Sequence, residues 1–78
     1  MANINDVLAK STQPPASIVD TTSDVGYYYF CKAVPGALQA DPVWQIMRYT
    51  IATGEFLFAD GDSNFDNIAA NRSLLDYA

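Results

Sequence analysis

Residues 43–66, VWQIMRYTIATGEFLFADGDSNFD, constrain the fold more than any other stretch. They hold the only Trp and two aromatic-rich runs separated by a glycine. Aromatic and β-branched residues suit a pleated, half-buried surface, so residues 43–51 read as a strand. Alternation places Trp44, Ile46, Arg48 and Thr50 on one side and Val43, Gln45, Met47, Tyr49 and Ile51 on the other. Neither side is cleanly polar, unlike a sheet with one solvated face. The pattern predicts that both faces are partly covered. Gly54 can adopt positive φ within a short hairpin loop, so residues 55–59 read as the returning strand. Phe56 and Phe58 share a face of that strand and are expected to pack near Trp44 and Ile46.

A second strong run is VGYYYFCKAV, residues 25–34. Tyr27, Tyr29, Cys31 and Ala33 alternate with Tyr28, Phe30, Lys32 and Val34. Tyrosine offers a ring and a hydroxyl, both usable at a protein interface. Pro35-Gly36 then marks a turn. Three antiparallel strands are expected, over residues 27–33, 43–50 and 55–59. Residues 18–20 can add a short edge strand, followed by a connection at 21–24. Tyr28, Phe30, Trp44, Ile46, Phe56 and Phe58 are the expected core or interface set. Residues 65–77 read as a short helix capped by Asn64, with Phe65, Ile68, Ala69, Arg72 and Leu75 near one face and Tyr77 as a late anchor; Asn67 and Asn71 weaken it, with a break expected near Asn71. The fold class is therefore mostly β: a small antiparallel sheet or partial barrel or sandwich, an extended N-terminal arm and a short C-terminal helical segment.

Residues 1–17 are expected to be that arm, and residues 18–78 a single small β-rich domain. Pro14-Pro15 stops any helix and favours an extended path. Ile4, Val7 and Leu8 are too few to anchor the segment alone, so it is expected to order against a partner.

Composition excludes several function classes. The net charge is −5, from four basic and nine acidic residues. Lys10, Lys32, Arg48 and Arg72 are scattered, which argues against a phosphate-backbone footprint or an anionic membrane surface. Cys31 is the only cysteine and histidine is absent, so no Cys/His zinc set exists. Cys31 reads as a small buried hydrophobe. No apolar run approaches the about 20 residues that span a bilayer. The first residues lack a basic region followed by an apolar one, so a cytosolic product, or a part of something assembled in the cytosol, is expected.

Asp60, Asp62, Asn64 and Asp66 alternate in DGDSNFD, as carboxylates do in part of a calcium loop. A helix–loop–helix calcium site starting at Asp60 requires Gly at the sixth position and Glu at the twelfth. Those positions hold Phe65 and Asn71. The loop is expected to be a hydrogen-bonded turn without a required metal. No nucleophile stands at a diagnostic spacing from an acid or base, so neither catalysis nor a cofactor is expected.

Several motifs carry a resemblance: Val43-Trp44-Gln45-Ile46, the run from Ala59 through Ile68, Asn71-Arg72-Ser73-Leu74 with Tyr77, and the upstream Lys32-Ala33-Val34-Pro35-Gly36. Together they resemble small proteins encoded with the structural genes of tailed bacteriophages. This chain has Ala69 where such proteins often carry a second Trp. The resemblance implies a virion component, such as a capsid decoration, tail or fibre-associated protein, that forms a homo-oligomer or docks on a larger capsid or tail protein. A virion component of that kind is assembled in the host cytoplasm; the scattered basic residues, not the resemblance, argue against direct nucleic-acid or membrane contact. The alternative is a small accessory protein-binding module outside the virion.

Overall fold

Glycine and hydrogen-bonded turns cut the chain into short antiparallel strands. The computed structural model describes residues 15–78. The expected arm contacts of Ile4, Val7 and Leu8 lie outside the described residues. The strands are β1 (Ala16–Asp24), β2 (Tyr27–Ala33), β3 (Pro42–Thr50), β4 (Glu55–Phe58) and β5 (Asn67–Ile68), followed by a 3₁₀ helix at Ala69–Leu74. The sheet order is β1-β2-β3-β4, with β5 also paired to β3. The domain is thus mostly β and antiparallel, with a short helical segment near its C-terminus.

β1 is longer than alternation alone predicts. It includes Ala16 and Ser17 from the Pro-containing segment and runs on through residues 21–24. The turn to β2 is only Val25-Gly26, with Gly26 at φ 89° and Asp24 opposite Tyr27. Pairing slips between Asp20 and Asp24, where a bulge takes up the extra residues. Asp20 Oδ1 accepts the backbone N–H groups of Thr22 and Ser23 at 3.1 and 3.0 Å. The Asp side chain thereby supplies the acceptors that the interrupted ladder cannot.

The Pro35-Gly36 turn forms as its chemistry predicts. Gly36 has φ 84° and the Ala37 N–H donates to the Val34 carbonyl. Beyond it, Trp44 fixes the connection: its indole N–H donates to the Leu38 carbonyl at 2.9 Å. The Trp ring is 2% exposed and forms the core with Cys31, Ala33, Ile46, Ala59 and Ala69. Leu75 and Tyr77 pack against that cluster.

Two expectations are corrected by pairing. Phe56 and Phe58 do not join Trp44 and Ile46. The loop between β3 and β4 pairs Thr50 with Glu55, so Tyr49 faces Phe56 and Met47 faces Phe58. Paired residues share a face, and a shift of one residue would have reversed every side chain. The second correction concerns residues 65–77. No helix starts after Asn64. Residues 67–68 instead pair with Pro42 and Trp44 on the stretch of β3 that β4 leaves open. Ladder hydrogen bonds outweigh the weak helix tendency of an Asn-rich segment. Only the 3₁₀ turn of Ala69–Leu74 follows, and Ile68 gives it no side-chain cap.

Candidate functional site

The sheet has two unlike faces. Tyr29, Cys31, Ala33, Trp44 and Ile46 lie on the covered face and are buried. The opposite face is built from cross-strand rows. Val19, Phe30, Met47 and Phe58 make one row; Tyr28, Tyr49 and Phe56 make the next. Neighbouring rings meet in pairs: Tyr49 and Phe56 have centroids 4.7 Å apart, Phe30 and Phe56 5.9 Å, and Tyr28 and Tyr49 6.1 Å. Such contacts align the rings across the strands. Yet Val19 remains 64% exposed and Phe56 53% exposed, with Ile51 also exposed at the adjoining turn.

This open face carries little charge. Asp20, Asp24 and Glu55 pair with Tyr29, Tyr27 and Thr50, which belong to the other face. Lys32 stands at one end, opposite Gln45. Gln45 Nε2 donates to the Ser63 carbonyl at 2.9 Å, so the acidic 60–66 loop borders the face.

The expected interface and core set therefore divides. Trp44 and Ile46 are core; Tyr28, Phe30, Phe56 and Phe58 line the open face. Alternation gives each strand two mixed faces, so it could not assign them.

In the acidic loop, Asp60 has φ 60° and Gly61 φ 74°. The Asp62 N–H reaches back to the Ala59 carbonyl at 3.4 Å, and Asp62 Oδ1 accepts the Asn64 N–H at 3.0 Å. Asp66 Oδ1 accepts from the Asn67 amide. These groups serve the turn. Among the described residues no three His, Cys, Asp or Glu side chains converge to hold a metal ion, and no cavity forms. No described helix is long and apolar enough to cross a membrane.

Two arginine arrangements escape sequence reasoning because their partners are distant in the chain. Arg72 Nε donates to Asp20 Oδ2 at 2.8 Å, and its Nη1 reaches the Ala69 carbonyl and Gln39 Oε1. The Ser23 hydrogen bond, then the Arg72 guanidinium, hold the Asp20 carboxyl well below the usual carboxylate range. Tyr77 Oη donates to the Arg72 carbonyl at 2.6 Å, and burial pushes its phenol up. Arg48 lies between two rings, its guanidinium carbon 4.4 Å from the Tyr27 centroid and 4.6 Å from that of Tyr77. Beside it, the Tyr29 hydroxyl donates to Asp24. Burial, with that hydrogen bond, pushes Tyr29 up to about 12. Cys31 is inside as expected, and burial raises its thiol to about 11.

No family model, curated protein or solved structure matches the chain. The viral, virion, capsid-decoration and tail designations suggested by the resemblance are corrected accordingly: they have no support beyond the motifs themselves. The supported description is a small β-rich domain with one open aromatic face.

Proposed function

We propose that this chain is a protein-binding assembly unit that self-associates through the open face of its sheet. The observation that carries the reading is the continuous surface of Val19, Phe30, Met47, Phe58, Tyr28, Tyr49 and Phe56, set on paired strands and still partly exposed. Contiguous exposed apolar surface marks interaction sites more often than isolated exposed hydrophobes do. A second copy suits it electrostatically. Each chain carries a net −5, but no carboxylate stands on these strands' open side. Two copies meeting strand to strand there place no strand carboxylates opposite one another, and the acidic 60–66 loop stays at the border. The role is binding, without catalysis.

Sedimentation velocity over a range of protein concentrations tests the reading. The wild type is expected to form a reversible oligomer. Val19→Glu with Phe56→Glu should return it to monomer while preserving the circular dichroism spectrum. A wild type that stays monomeric at high concentration overturns self-association. So does a double variant that assembles as tightly as the wild type.

A further inference from the structure

We infer that Arg48 is a docking point for a carboxylate of a peptide partner. The site lies on the covered side of the sheet, so it stands independently of the open face. Three segments build it: β2 supplies Tyr27, β3 supplies Arg48, and the C-terminal segment supplies Tyr77, held by the bridge between Ala59 and Tyr77. The two rings lie over the guanidinium carbon at 4.4 and 4.6 Å. Such stacking fixes the guanidinium plane and leaves its edge to donate hydrogen bonds.

Arg48 Nε is sealed from solvent and has no acceptor. Among the described residues the only ion pair is Arg72 with Asp20. Asp24, on β1 opposite Tyr27, accepts from the Tyr29 hydroxyl. Arg48 is therefore a partly dehydrated cation without a counter-ion among the described residues. An uncompensated cation is unfavourable, and an anion at the open part of the guanidinium offsets its charge. With Nε sealed and the Tyr27 and Tyr77 rings against the guanidinium carbon, the approach left is at the two terminal nitrogens. Their parallel N–H groups match the two oxygens of a carboxylate. The sheet's last row reads Asp24, Tyr27, Thr50, Glu55. Its two acids disfavour a phosphate dianion more than a monoanionic carboxylate. A C-terminal carboxylate and an Asp or Glu side chain offer the same chemistry.

Nuclear magnetic resonance of the full chain tests the site, with the Arg48 Nε–Hε signal as reporter. Four probes are used: an acetylated tripeptide with a free C-terminus, its C-terminal amide, an amidated tripeptide containing one Glu, and inorganic phosphate. A saturable shift with the first or third probe, and none with the amide, is expected; which one acts names the source of the carboxylate. Arg48→Lys keeps the charge but loses the fork, and should weaken binding at least about tenfold. Tyr27→Leu removes one stacking ring and should weaken it as well. No saturable shift with either carboxylate overturns the assignment. An equal response to the amide, or tighter binding of phosphate, overturns it too. The wild-type titration decides the matter even where a variant fails to fold.

Discussion

Arg72 Nε and Asp20 Oδ2 meet at 2.8 Å across 52 residues of chain. The contact ties the bulge of β1 to the 3₁₀ helix Ala69–Leu74, from opposite ends of the described domain. Asp20 simultaneously accepts the bulge amides of Thr22 and Ser23. One carboxylate thus organises a local irregularity and a tertiary clasp. The Arg72 and Asp20 side chains are 19% and 5% exposed, so solvent screens the pair little.

Arg72→Ala should destabilise the domain by about 2–3 kcal/mol, because it leaves a buried carboxylate short of its cation. Asp20→Ala should cost a similar amount by orphaning Arg72 and the bulge amides. Urea unfolding of both single variants and the double variant checks this. The double variant should lose clearly less than the sum of the two single losses; additive losses would mean the pair is not coupled.

Acid should weaken the same clasp. The folded Asp20 carboxyl titrates well below its ordinary value of 3.8. Between those two values the unfolded chain binds the proton and the folded one does not, so folding stability rises with pH there. Asp20's contribution is complete above about pH 5 and drains away as pH falls below about 4. Asp20→Asn should flatten the acid limb of a stability-versus-pH curve. An acid limb as steep as the wild type's would contradict the assignment.

Trp44 is both the largest buried side chain and the donor that holds the Leu38 carbonyl. Trp44→Ala should cost about 3–5 kcal/mol. Trp44→Phe retains most of the apolar volume but loses the indole donor, and should cost less than the alanine variant. Thermal and urea unfolding rank the two, and the single Trp gives a native emission spectrum shifted to the blue. Emission like that of free tryptophan in the folded chain would show the ring to be exposed.

Gly26 isolates a backbone effect. Its φ is 89°, and a Cβ built there meets nothing within 4 Å. Gly26→Ala should therefore destabilise by about 1–2 kcal/mol through conformation alone. Val25, its fully exposed neighbour, should tolerate Val25→Ala with a change within about 0.5 kcal/mol. Equal effects at the two positions would show that the turn does not require a left-handed residue.

Local chemistry determined much of this protein from the sequence alone. The aromatic and β-branched runs mark β2, β3 and β4 nearly to the residue, because pleated geometry selects those side chains within a few positions. Pro35-Gly36 and Gly54 mark turns because glycine reaches positive φ without strain. Cys31 reads as buried, and it is. The tertiary structure alone decided which face of the sheet is core. Residues 27–33 and 43–50 carry apolar groups on both sides, so period-two alternation cannot choose between Trp44 and Met47. The register across the β3–β4 loop makes that choice, and it moves Phe56 and Phe58 away from Trp44. The free stretch of β3 likewise draws residues 67–68 into a strand, against their helical spacing. The Asp20–Arg72 pair and the Arg48 sandwich depend on segments distant in sequence, and local preference carries no information about partners that only folding brings within a few ångströms.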